Sequence, residues 1–99
     1  MSKPVYVNYC VQGLTEAWYR LSKEEQDNLA AKIKEIDKSL GCKELIICDS
    51  RWADEGTLIW GVSEYPDMDA YQKKIEEFEK LNWNRYYSAK TILGTKMVE

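Results

Sequence analysis

Val5, Val7, Tyr9 and Val11 alternate with Tyr6, Asn8, Cys10 and Gln12. This period of two predicts a strand over 4–12 with one aliphatic face and one aromatic, polar face. Gly13 is expected to break it, and 14–21 reads as an aromatic connection carrying Trp18 and Tyr19. Ser22 followed by Glu25 forms a capping-box pattern, after which Leu29, Ile33, Ile36 and Leu40 recur at steps of four, three and four. That is one apolar stripe on a helix, and Gly41 stands where a helix C′ residue belongs. The run Leu45-Ile46-Ile47-Cys48 within 42–50 reads as a strand buried on both sides. A polar turn over 51–56 leads to a third strand over 57–65, with Leu58, Trp60 and Val62 opposite Ile59, Gly61 and Ser63. Pro66-Asp67 stops that strand and caps a second helix, whose stripe is Met68, Tyr71, Ile75, Phe78 and Leu81. Asn82-Trp83-Asn84 ends the helix, and 85–97 reads as a last strand in which Tyr87, Ala89, Thr91 and Leu93 alternate with Tyr86, Ser88, Lys90 and Ile92.

The predicted order, strand-helix-strand-strand-helix-strand, defines a single α+β domain spanning 1–99. Two right-handed β-α-β crossovers place both helices on one face of a four-stranded antiparallel sheet. The opposite face, with Tyr6, Asn8 and Cys10, is too apolar and aromatic to face water unaided. The expected cover is a second copy in a two-fold homodimer, with a higher oligomer left open.

Composition narrows the chemistry. The chain has no histidine, which removes the commonest general base and metal ligand and with them Ser-His-Asp, Cys-His and the usual zinc sites. No metal site and no cofactor are expected. Asp49, Asp54 and Glu55 cluster near a turn without calcium-loop spacing. The net charge of −3 comes from interspersed acids and bases, so there is no basic face for nucleic acid. No apolar stretch approaches a membrane span, and Met1-Ser2-Lys3-Pro4 runs into a strand without a signal-peptide core. A cytoplasmic location is expected, and Cys10, Cys42 and Cys48, odd in number and without C-x-x-C spacing, read as buried free thiols. Four Trp and seven Tyr stand against one Phe; rings with polar tips suit clefts and interfaces.

Candidate site residues follow from strand positions. Asn8 is a carboxamide in mid-strand, placed either to hold a substrate carbonyl or developing oxyanion or to be satisfied at a dimer interface. Tyr6, Trp60 and Tyr87 form either an aromatic wall for a flat ligand or ordinary interface packing, and a one-residue register slip would send Trp60 under the helices. Glu64 and Arg85 lie near strand ends, as polar-substrate groups or solvated charges. Cys10 shares the face of Asn8 but has no base beside it in sequence. Trp18 and Tyr19 either lid a cleft or plug the helix start.

The segments Trp18-Tyr19-Arg20-Leu21-Ser22-Lys23-Glu24-Glu25, Tyr65-Pro66-Asp67 and Trp83-Asn84-Arg85-Tyr86-Tyr87, with the element order, resemble a branch of small proteins in the ferredoxin-like, dimeric α+β barrel superfamily. The likeness covers nearly the whole chain and rests on structural punctuation. It implies two sheets packed face to face. It also implies a range of activities, among them cofactor-independent monooxygenases, haem degraders and isomerases. Several of the monooxygenases place an Asn and a Trp inside the barrel, positions that Asn8 and Trp60 match. The haem degraders need a histidine, which this chain lacks. The resulting expectation is a small dimeric barrel that binds an aromatic or apolar molecule. The alternatives are an assembly or accessory domain whose aromatic face serves only oligomerisation, and a monooxygenase- or isomerase-like enzyme.

Overall fold

In the computed structural model, which describes residues 3–53 and 56–98, the first alternating segment forms β1 (Val5–Leu14). Gly13 does not end it. The register against the last strand shifts between Val11 and Gly13 instead, a bulge that carries the strand two residues further. The aromatic connection contains a short helix α1 (Glu16–Tyr19). Helix α2 (Lys23–Ser39) begins at the expected capping box: the Glu25 N–H donates to Ser22 Oγ at 3.1 Å, and the Ser22 N–H donates to Glu25 Oε1 at 2.9 Å. These bonds hold the Glu25 carboxyl below its ordinary range. At the other end the Cys42 N–H reaches the Asp37 carbonyl and the Gly41 N–H reaches that of Lys38, the paired bonds of a Schellman ending. Gly41 has φ +76°, and a Cβ there would sit 3.0 Å from Pro66, so a glycine serves both the turn and the close packing.

Strands β2 (Lys43–Asp49) and β3 (Ile59–Tyr65) form the hairpin; Asp54 and Glu55 of its turn lie outside the described residues. Helix α3 (Met68–Lys80) is capped by Asp67, whose Oδ1 accepts from the Ala70 N–H at 2.8 Å. Asn82 takes a left-handed conformation, φ 54°, and opens a 3-10 turn (Trp83–Arg85) before β4 (Tyr87–Gly94). Arg85, expected at the edge of the last strand, therefore lies in this turn.

The sheet is four-stranded and antiparallel, in the order β2-β3-β1-β4. The α+β expectation holds, and the architecture is compatible with a ferredoxin-like domain. A further expectation fails: β2 is an edge strand rather than a strand buried on both sides, and Leu45, Ile46 and Ile47 are 52%, 47% and 54% exposed. An apolar run looks the same at a sheet edge as at its centre, and only the pairing order separates the two.

The helices lie on the aliphatic face. Val5 and Val7 are buried there with Tyr65 and Tyr71, and Cys42 and Ala70 pack against them. The Tyr65 and Tyr71 rings meet edge-on at 5.3 Å, joining β3 to α3. Burial of each large side chain contributes about 1.5–3 kcal/mol. The core is lean: Val5, Val7, Tyr65, Tyr71 and Phe78 are the buried hydrophobics among the described residues. The α2 stripe is half-buried, while Met68 and Ile75 of the α3 stripe are exposed. No helix among the described residues is long and apolar enough to cross a membrane.

Candidate functional site

Strand pairing decides which candidates share a face. Trp60 pairs with Cys10, and Glu64 with Tyr6, so Tyr6, Asn8, Cys10, Trp60 and Glu64 all lie on the face away from the helices. Asn8 is exposed, and the other four are half-buried. Lys96 places its ammonium 5.8 Å from the centre of the Tyr6 ring. Ile46 and Ile92 join this open face, opposite Val62 and Asn8 respectively.

Tyr87 does not. It follows the register Val11–Ala89 and Tyr9–Thr91, which puts it on the helix side. Its ring lies 5.0 Å from that of Trp83, in an aromatic cluster that includes Phe78, Trp18 and Tyr86. Trp18 is thereby part of a hydrophobic plug, tied to α2 by the Gln26 side chain, which donates to its carbonyl at 3.1 Å. Tyr19 is exposed, and Arg85 is an exposed residue of the 3-10 turn.

Between the helices and the sheet lies a half-enclosed cavity of about 260 Å³. Val11, Ile33, Ile59, Phe78, Trp83 and Tyr87 form its apolar side, and Ala89 and Thr91 of edge strand β4 lie at its rim. A larger depression near Lys3, Asp67 and Leu93 is an open trough at the start of α3.

The polar end of the cavity is built from two phenol–carboxylate pairs. Tyr65 Oη donates to Asp37 Oδ1 at 2.7 Å, which ties β3 to α2. Tyr9 Oη donates to Glu44 Oε2 at 2.8 Å, and Ser63 Oγ reaches the same oxygen at 3.4 Å. The second pair depends on Gly61. A Cβ at that position would stand 2.5 Å from Tyr9 Oη and 2.7 Å from the Ile46 carbonyl, so the missing side chain makes room for the phenol to cross β3. Burial, and then the adjoining carboxylates, push both phenols far above the ordinary tyrosine range. They act as neutral donors. Burial also raises the Asp37 carboxyl, against the opposing bond from Tyr65 and the attraction of Lys74.

Lys74 completes the cavity. Its ammonium lies 4.5 Å from the centre of the Phe78 ring and 5.3 Å from that of Tyr71. Burial lowers its pKa, opposed by the negative charge of Asp37. Burial likewise raises the Cys42 thiol and the Tyr87 phenol. The three cysteines are half-buried free thiols. Among the described residues, no group of three or more Cys, Asp or Glu is placed to hold a metal. Asp49 is engaged by Arg51, whose Nη2 lies 3.2 Å from Oδ2.

Asp37, Lys74, Glu44 and Tyr65 were not candidates on sequence grounds, yet a signal exists for two of them. Asp37 lies four residues after Ile33, and Lys74 lies three after Tyr71 and four before Phe78. Both therefore interrupt apolar stripes, and a charge at a core-facing helix position is rarely idle. Glu44 depends on a register shift between Glu44 and Ile46, which no local pattern announces. Compared with known protein families, curated proteins and solved structures, the chain shows no significant match.

Proposed function

We propose that this chain is a ferredoxin-like domain of the dimeric α+β barrel kind that binds an aromatic or apolar small molecule between its sheet and its helices. The cavity carries this reading: a half-enclosed space of about 260 Å³ whose apolar side is faced by Phe78, Trp83 and Tyr87 and whose other end bears paired polar groups. That combination of a broad apolar wall with a few oriented polar groups is the ordinary form of a small-molecule site. Strands β1 and β3 at the sheet centre, with helices after each, support the ferredoxin-like assignment; α1 and the 3-10 turn are additions to it.

Titration of the protein with naphthol, followed by tryptophan fluorescence, tests the site because Trp83 lies in its wall. Saturable quenching is expected, and Val11→Phe, which fills the half-buried apolar side without adding a tryptophan, should weaken it. Quenching unchanged in Val11→Phe would place the ligand elsewhere.

A second reading concerns the open face and is compatible with the first. Ile92 is 59% exposed there on one edge strand and Ile46 is exposed on the other, with half-buried Tyr6, Trp60 and Val62 on the strands between them. Lys43, Glu64 and Lys90 lie on the same face, supplying both charge signs to a self-complementary two-fold contact. This supports a homodimer formed sheet to sheet, with Asn8 at the interface; in the accessory-domain version that is the sole use of the face. Light scattering should give twice the 11.6 kDa chain mass. A mass of 11.6 kDa at micromolar concentration would remove this reading and leave the cavity reading untouched.

A further inference from the structure

Two amines line the cavity, that of exposed Lys34 and that of half-buried Lys74. Lys74 places its ammonium over the rings of Phe78 and Tyr71. It takes part in none of the four ion pairs found among the described residues, and in none of their side-chain hydrogen bonds. Other surface lysines show the contrast: Lys23 and Lys80 are exposed and bound to carboxylates on their own helices. Lys74 also shares its cavity with Asp37, a carboxyl held by Tyr65. The remaining titratable groups facing that space are Glu44, occupied by Tyr9 and Ser63, together with exposed Lys34 and the phenol of Tyr87.

We infer that Lys74 captures an aldehyde or ketone carried by the aromatic or apolar ligand, holding it as a reversible imine. The inference rests on the cavity being the ligand site. A desolvated amine among rings is the usual setting of a nucleophilic lysine, and the lowered pKa of Lys74 increases its neutral fraction. In the step, the nitrogen lone pair forms a bond to the carbonyl carbon and the carbonyl π pair moves to oxygen. Two hydrogens leave nitrogen and end on that oxygen, carried by Asp37. The C–O bond then breaks, water departs and the C=N bond closes. Amine and carbonyl give imine and water, with no oxidant or reductant involved, and hydrolysis reverses the sequence. The apolar side at Phe78, Trp83 and Tyr87 holds the body of the ligand while its carbonyl meets the amine.

Reductive trapping reads this directly. The full chain is incubated with hydroxybenzaldehyde and cyanoborohydride, digested and mapped by mass spectrometry. The expected result is a dominant hydroxybenzyl adduct on Lys74, ahead of exposed Lys3 and Lys90. That adduct should be absent in Lys74→Arg, which keeps the cation over the rings, and should be suppressed when naphthol competes. Adducts spread evenly over exposed lysines in the native chain would overturn the inference, whether or not the variant folds. If naphthol binds and Lys74 stays unlabelled, the imine falls and the cavity stands. If naphthol does not bind either, both fall.

Discussion

The two faces of this sheet come from the same strands, residue by alternate residue, yet they differ in what they can do. The helix side holds Val5 and Val7 at its packed end, and at its loose end a cavity with Asp37, Glu44 and Lys74 around it. The open side carries Tyr6, Asn8, Trp60 and Ile92 with no element of the described chain packed on them. On the helix side Asp37 and Glu44 are held by the phenols of Tyr65 and Tyr9, whereas Asn8 on the open side is exposed. Burial makes the difference. A carboxylate or ammonium taken from water must find a partner or change its protonation, so the covered face acquires tuned groups. Aromatic composition alone points to the open face; electrostatics point to the covered one.

Substitutions on each face can break or sharpen this contrast. The largest effect is expected from Phe78→Ala, which empties a buried position at the junction of α3, the 3-10 turn and the cavity wall. A loss of about 3 kcal/mol in urea unfolding is expected. A loss under about 1 kcal/mol would mean that the aromatic end is not a packed wall. Gly61→Ala should be next, at about 2 kcal/mol. Its Cβ meets both Tyr9 Oη and the Ile46 carbonyl, so relief requires backbone movement as well as a turn of the phenol. A neutral result in the same unfolding experiment would show that the Tyr9–Glu44 pair is not fixed.

The third test is one of sign. Burial raises the Asp37 carboxyl above its ordinary 3.8, so the folded state binds its proton more readily than the unfolded state does. The stability this group contributes is fully present below pH 3.8 and is lost as pH rises through the raised folded value. Asp37→Asn, whose amide oxygen still accepts from Tyr65, removes that loss. The stability of the native chain relative to the variant should therefore fall between pH 4 and pH 7, seen in urea midpoints measured across that range. A difference that grows in favour of the native chain toward pH 7 would reverse the assignment. The smallest effect belongs to the open face. Ile92→Lys should change the stability of an isolated chain by within about 0.5 kcal/mol, while lowering the mass seen by light scattering if two copies pair there. A large loss of stability without a change in mass would show that the open face supports the fold itself.

Much of the architecture was legible in advance. The Ser22–Glu25 box, the Gly41 ending, the Asp67 cap and the alternation of β1 are local features, and each is satisfied within a few residues of itself. The site was not legible in the same way. Tyr87 is a strand aromatic like Tyr6 and Trp60, but the register of β4 against β1, Tyr9 to Thr91 and Val11 to Ala89, places it on the other face. The run Leu45-Ile46-Ile47 read as doubly buried and lies at an edge. One difference lies in the register of a strand pair and the other in the order of the strands, and both are set by partners far apart in the chain.

What the sequence by itself determined is therefore the set of elements, their caps and the two characters of the first strand. These follow from periodicity and from backbone groups that must be satisfied close to where they arise. What only the tertiary structure decided is the meeting of Asp37, Glu44, Tyr9, Tyr65 and Lys74 around one cavity, across separations of up to 65 positions from Tyr9 to Lys74. Helix stripes and strand alternation state which way a residue faces. The order of the strands and the seating of each helix determine what it faces, and for this chain that is where the chemistry lies.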